Sequence, residues 1–492
     1  MAYQNNNNSY GKSDNRSSRP FNSRNDRRNS YDRRDAEPEP EVEVGQRFPL
    51  TIKRLGINGE GIGYYKRKIT FIPGALPDEV VIAEVTKVHP KYLSAKIHKI
   101  REASPDRVDT VDEYAGIVGG FDLEHMNYDA QLKFKVDVIL QSLEKFKPRG
   151  YQNYKLLPTI GMDKPFHYRN KAQFPVRMID GRVATGMFKM GTHELVDLPE
   201  VSTQHPATMK AVRVIRSILE DLGTPIYNEE AKSGIVKTII ARVSESTHEV
   251  QVTLVTNSKK LPGSRKIIEA IHEKLPEVTS INQNINPGET SLIWGDETVL
   301  LDGNPYITET INGKQFQLSP RAFLQLNPKQ TARLYNEAIS ALDLTHADNL
   351  IDAYSGVGTL GISLADKAGF VRGMDTIAES IDDANRNAEL NGITNARYEV
   401  GAAEDLIPQW IQEGWRPDAL IVDPPRTGLD EYLRDAILAV EPEKFVYISC
   451  NPSTLARDLV DLVEVYNVEY IQSIDMFPQT SRVEAIVKFT RR

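Results

Sequence analysis

Past residue 44, apolar positions alternate with polar ones in short runs: FPLTIKRL (48–55), KITFIPG (68–74), EVVIAEVTKV (79–88) and YLSAKIHKI (92–100). Period-two patterning broken by Gly, Pro and Asp predicts closely spaced strands, and five glycines (Gly56, Gly59, Gly61, Gly63 and Gly74) are expected at the turns. A small, closed, OB-like β-barrel over 45–104 is the expectation. Ahead of it, residues 1–44 hold almost no aliphatic side chains and are expected to be a disordered polar tail. Over 105–308 the texture is mixed. HYRNKAQFPVRM, VKTIIARV and EVQVTLVTN look like strands, and MKAVRVIRSILEDLG and RKIIEAIHEKL carry the 3.6-residue apolar period of helices. That alternation predicts a central α+β domain. From 309 to 492 the pattern becomes α/β: NLIDAYSG, FVRGMD, ALIVDPP and KFVYISC are apolar runs ending in Gly or polar residues, with helical stretches between them. A doubly wound, Rossmann-like parallel sheet is predicted, closed by an antiparallel edge from VEYIQSIDMF and EAIVKFTRR.

Charge sharpens the division. The net charge of −8 hides unlike segments: residues 45–104 carry eleven Lys/Arg against five Asp/Glu, while everything after 104 sums to −14. A basic module on an acidic chain suits an anionic partner such as RNA. Lys66, Arg67 and Lys68 beside Tyr64 and Tyr65 offer phosphate charge and stacking surface, or else the tyrosines are packing. A single cysteine, Cys450, excludes an internal disulfide framework. Without an apolar run of membrane length or a secretory h-region, the chain reads as a soluble, cytoplasmic protein with no membrane partner and no evident obligate protein partner.

The candidate chemistry gathers at predicted strand ends. The first strand of the α/β part runs into Asp352-Ala-Tyr354-Ser-Gly356-Val-Gly358-Thr-Leu-Gly361, and Asp375 follows 17 residues after Gly358, where an acid can bind ribose hydroxyls. Alone, that fingerprint fits NAD as readily as S-adenosylmethionine, or a merely structural turn. The next strands end in Asp423-Pro-Pro-Arg426 and Ser449-Cys450-Asn451-Pro452, on the same edge. A helix starting at Pro452 would favour the Cys450 thiolate through its dipole. Glu484 opens the last strand, facing the same cleft or else the surface.

Together, QLSPRAFLQLN (317–327), DAYSGVGTLG, DPPRTGL, YISCNPSTLARDL and SRVEAIVKF resemble the RNA uracil-5-methyltransferases, and among them the bacterial 23S ribosomal RNA branch. The barrel resembles the TRAM domain, an RNA-binding module common in that family. The resemblance covers 45–492. It implies S-adenosylmethionine as methyl donor, contacted by Gln325, Tyr354, Asp375 and Asp423, with Cys450 as nucleophile and Glu484 as proton acceptor. It implies 5-methyluridine as product and 23S ribosomal RNA as partner. Transfer RNA is the alternative substrate; an NAD-dependent oxidoreductase or a catalytically silent RNA-binding factor would leave Cys450 and Glu484 without a role. Many relatives carry an iron–sulfur cluster on four cysteines, but here Asp112, Val118, Phe121 and His205 stand at those positions. No cluster is expected, and Val118 and Phe121 should pack apolar contacts instead. Arg482 also departs from the family's frequent His.

Overall fold

The computed structural model describes residues 42–288 and 292–492; the tail expected over 1–44 lies, except for its last three residues, outside them. Between Arg47 and Glu102 six strands form one sheet. The run 47–55 pairs at one end with Val80–Val88 (Phe48 opposite Ala83) and at the other with Gly61–Tyr65 (Leu55 opposite Gly61). This bent run closes the sheet on itself. Phe48, Leu50, Ile52, Val81, Ala83 and Val85 fill its inside at every second position. The glycines divide by cause. Gly59 and Gly74 take positive φ, as turns require. Gly61 instead sits inside a strand, where a Cβ would lie 2.7 Å from the Ala75 carbonyl oxygen.

Seven strands between Lys171 and Gly303 make a second sheet, antiparallel except where Val250–Thr256 runs parallel to Val278–Ile285. The helix Ser264–Lys274 makes that crossover. With Pro206–Asp221 it covers one face over Ala172, Phe174, Ile239, Val252 and Ile281.

The third sheet has eight strands: β1 (Leu156–Ile160), β2 (Asn349–Ala353), β3 (Phe370–Asp375), β4 (Ala396–Val400), β5 (Ala419–Val422), β6 (Lys444–Ser449), β7 (Tyr466–Ile474) and β8 (Glu484–Arg491). Their order is β4-β3-β2-β5-β6-β8-β7-β1, with β8 antiparallel between β6 and β7. Apolar clusters cover both faces. One includes Ile351, Leu420, Tyr447 and Val487 with α1 (Tyr128–Phe146) and α5 (Pro452–Leu462). The other includes Leu350, Ile421, Ile448 and Ile486 with α2 (Pro328–Leu342), α3 (Thr359–Ala365) and α4 (Ala378–Leu390).

This arrangement departs from a central domain running unbroken over 105–308. Both α1 and β1 belong to the third sheet, because β1 pairs parallel to β7 and α1 packs on α5. Nor does β7 form the edge; β1 covers it.

Between the barrel and α1, Val118 and Phe121 are buried in the apolar core of the second sheet. Asp112 accepts the Ser202 amide through both oxygens, and His205 caps the helix that starts at Pro206. Two of the four positions that carry cysteines in relatives are thus ordinary core, and no thiolate is on hand; the site does not fit an iron–sulfur cluster. Beside Asp112, burial and then the neighbouring charge push the Glu124 carboxyl up to about 7. Folded Glu124 therefore keeps a proton that the unfolded chain loses near the ordinary value of 4.5. Stability linked to it is complete at low pH and is lost as pH rises through that window. Glu124→Gln, neutral throughout, should have a melting temperature that improves relative to wild type between about pH 5 and about pH 8. Parallel melting curves for the two proteins would refute this.

Candidate functional site

Strand alternation places the candidate side chains. On β2, β5, β6 and β8 the residues Leu350, Ile421, Ile448 and Ile486 all face the α2–α4 side. Two positions further along, the same alternation puts Asp352, Asp423, Cys450 and Glu484 on that side, at the carboxyl edge of the parallel strands. The β6–β8 register, with Ser449 opposite Ala485, brings Cys450 opposite Glu484. Asp423 follows directly on Val422, which is in register with both Ala353 and Tyr447.

The connections are as specific as the strands. After β2 the backbone turns sharply, with positive φ at Tyr354, Gly356 and Gly358. Asp352 accepts the Gly361 amide at 2.9 Å, and a Cβ on Gly361 would lie 2.6 Å from that same carboxylate. Asp375, at the end of β3, accepts the Gly356 amide at 3.1 Å and the Ile377 amide at 2.9 Å. Space around Gly356 is open, and the buried Ser355 hydroxyl finds no hydrogen-bond partner among the described residues. Gln325 is buried in the segment leading to α2, which is tied down by Leu326 accepting the Asn170 amide and by Asn327 donating to the Met476 carbonyl. Those ties run to other elements than the glycine loop.

One group escaped the sequence reading. Asn451 and Thr454 both donate to the Arg426 carbonyl, at 2.9 and 3.2 Å, and Asp458 accepts the Leu429 amide at 2.8 Å. Residues of SCNPSTLARD thus hold the DPPRTGL loop. The Arg426 cation acts on both Cys450 and Glu484, drawing each towards its charged form. The co-occurrence of the two motifs was its only signal.

Electrostatics in the site oppose ionisation. Burial, then Glu484, then Asp423 push the Cys450 thiol up to about 12, with Arg426 pulling the other way. Asp423 is pushed up to about 7 by burial. Glu484 is raised well above the usual carboxylate range by burial and by Asp423, and its Oε1 has no hydrogen-bond partner among the described residues. The expected dipole assistance to Cys450 from α5 is therefore outweighed: one favourable helix end is worth about 1 kcal/mol, less than removing a thiolate from water beside two acids costs.

The barrel reaches this region too. A Cβ on Gly59 would lie 2.8 Å from Leu123 and 3.5 Å from Ser481, so the barrel's loop sits on the segment just ahead of Glu484. Its tyrosines differ in role. Tyr64 is exposed, whereas Tyr65 stacks on Phe48 with ring centres 3.5 Å apart and is packing.

A glycine turn tied to Asp375, with a thiol and carboxylates along one edge of a doubly wound sheet, has the layout of a nucleotide-dependent group-transfer enzyme. The profile of the tRNA (uracil-5-)-methyltransferases matches residues 127–492 and that of the TRAM domain residues 41–98. The chain belongs to the tRNA (uracil-5-)-methyltransferase family and is an S-adenosylmethionine-dependent RNA methyltransferase with an N-terminal TRAM domain. It is 61% identical to an uncharacterized RNA methyltransferase of Lactiplantibacillus plantarum, over 94% of this chain and 98% of that one. An uncharacterized RNA methyltransferase of Enterococcus faecalis is 54% identical, over 92% and 99%. A Pyrococcus abyssi tRNA (uracil-54, C5)-methyltransferase, solved with S-adenosyl-L-homocysteine, is similar at TM-score 0.72 and 26% identity, covering 90% of this chain and 100% of that one. No helix among the described residues is long and apolar enough to cross a membrane.

Because the chain has one cysteine, its ionisation can be read directly. Iodoacetamide should alkylate the ligand-free protein at about pH 7.5 more than tenfold slower than the urea-unfolded chain, with the rate still climbing above about pH 9. Equal rates in the two states would show that the thiol is not held protonated.

Proposed function

We propose that this enzyme methylates C5 of a uridine in 23S ribosomal RNA through a transient bond from Cys450 to C6 of the ring. The observation that carries this reading is the β6–β8 register, which sets a thiol opposite a buried carboxyl at the sheet edge where the glycine loop ends. Uracil C5 is too poor a nucleophile to take a methyl group unaided. When the Cys450 thiolate adds to C6, the C5–C6 double-bond electrons move towards the C4 carbonyl, and C5 becomes an enolate carbon able to react. S-adenosylmethionine supplies the electrophilic methyl group. Glu484 then takes the C5 proton, the electrons of that C–H bond restore the double bond, and the sulfur leaves C6.

Glu484 takes the C5 proton as the carboxylate, so its own proton has to leave first; once ionised, its raised proton affinity makes it the stronger base. Asp423, titrating near neutrality, suits exchange of the thiol proton with solvent. Arg426 steadies the negative charge that Cys450 acquires. Tyr354, Asp375, Asp423 and Gln325 would hold the donor; the open space at Gly356 and the unpartnered Ser355 hydroxyl suit a polar nucleoside there. The uridine has to leave its stack to reach this edge, at about a few kcal/mol.

The choice of 23S ribosomal RNA rests on the motif resemblance and on a basic, Tyr64-bearing barrel beside the segment ahead of Glu484. Transfer RNA is the second reading, favoured by the tRNA substrate named for the Pyrococcus enzyme. Mass-spectrometric mapping of 5-methyluridine in a strain lacking the gene separates them: loss from 23S ribosomal RNA alone is expected, and loss from transfer RNA alone would reverse the assignment. For the chemistry, RNA containing 5-fluorouridine should give a denaturation-resistant adduct with wild type and none with Cys450→Ala. Fluorine at C5 leaves no proton for Glu484 to remove. Identical behaviour of the two proteins would refute the nucleophile.

A further inference from the structure

Glu484 follows a segment that makes no regular structure, 475–483, and that segment is gripped by one face of α1. Lys135 is fully buried. Its ammonium donates to Asp475 Oδ1 at 2.5 Å, to the Phe477 carbonyl at 3.1 Å and to the Arg482 carbonyl at 2.8 Å. All three protons are used, and they join both ends of the loop. One turn earlier, Gln131 and Gln479 clasp each other: the Gln131 amide donates to the Gln479 side chain at 2.9 Å, and the Gln479 backbone amide donates back at 3.0 Å. A turn before that, the Tyr128 hydroxyl donates to Asp475 Oδ2 at 2.8 Å. These residues lie on one stripe of α1, at spacings of three and four.

Burying an ammonium is costly, and packing alone would be served by leucine at this site. A lysine repays that cost where a fixed geometry matters, because it can tie three separate acceptors to one point. Here the acceptors lie just before and just after a turn that includes Gln479 at φ +69°, a strained backbone that needs holding. The last acceptor, the Arg482 carbonyl, is two residues from Glu484. We infer that Lys135, with Gln131, is a positioning residue that fixes the 475–483 loop so that the Glu484 carboxyl meets the C5 proton.

The inference rests on Glu484 being the base, and it makes a demand that a merely stabilising ion pair would not. Loosening the loop should impair proton removal while sparing thiolate attack and methyl transfer. With Lys135→Met in the full chain, turnover on ordinary uridine RNA should fall on the order of 100-fold, as misplacement of a reacting group typically costs. Methylated, covalently attached RNA should then accumulate, while the single-turnover rate of trapping by 5-fluorouridine RNA stays within about twofold of wild type. A parallel fall in trapping and turnover, with no accumulated adduct, would overturn the inference.

Glu484→Gln is the reference. If it too fails to accumulate adduct, the assignment of the base is what fails; if it accumulates adduct and Lys135→Met does not, the positioning role alone fails. Should Lys135→Met not fold, Gln131→Met opens the same grip without leaving a buried charge. Its expected pattern is the same with a loss of about tenfold, and a folded Gln131→Met protein with wild-type turnover would overturn the inference.

Discussion

The placement of Cys450 opposite Glu484 depends on the insertion of β8, antiparallel, between β6 and β7. A strand buried on both faces can be paired in only one register. Val487 and Phe489 face one apolar cluster and Ile486 the other, so a slip of one residue would exchange the two sets. The same slip would turn Glu484 away from Cys450. Core packing thus sets the chemistry. The side chains that fix the register are aliphatic and aromatic, several residues from the reacting groups, and they need no catalytic character to decide where the carboxyl lies.

The groups brought together in this way are costly to hold. Two acids, Asp423 and Glu484, act on the Cys450 thiol, and burial raises the proton affinity of each. The protein meets part of this cost with one cation, Arg426, hung on carbonyl hydrogen bonds from the residues that follow Cys450. Beyond that, burial holds the protons on Asp423, Cys450 and Glu484 more tightly than water would.

Much of this was legible in the sequence, for identifiable reasons. The apolar runs before DAYSG, DPP and SCNP are each buried on both faces, and a parallel strand with that pattern needs no partner information to be recognised. Because such strands point the same way, their ends share an edge, and the candidate residues could be gathered without coordinates. What stayed hidden depends on distance along the chain. β1 lies more than 300 residues from β7, with which it pairs, and LLPTI has no feature that assigns it to a sheet. Gly61 and Gly63 look like turn residues but are spaces left for Ala75 and Leu50 where the barrel closes. The burial of Cys450 beside Asp423 and Glu484 stayed hidden as well. A helix dipole is visible in a sequence, whereas burial beside two acids is not.

The barrel and the loop ahead of Glu484 meet through fixed contacts. Gly59 packs against Leu123 and Ser481, while the Leu123 amide donates to the Gln479 carbonyl at 3.0 Å and Asp122 accepts from Ser481. Residues 121–126 therefore lie between the barrel and the loop. With Phe121 and Val118 taken into the second sheet's core, the stretch is held by apolar packing at one end and by α1 at the other. A rigid connection needs fixed contacts on both sides rather than any particular chemistry between them. Packed side chains here supply that rigidity, and the loop ahead of Glu484 takes its support from them.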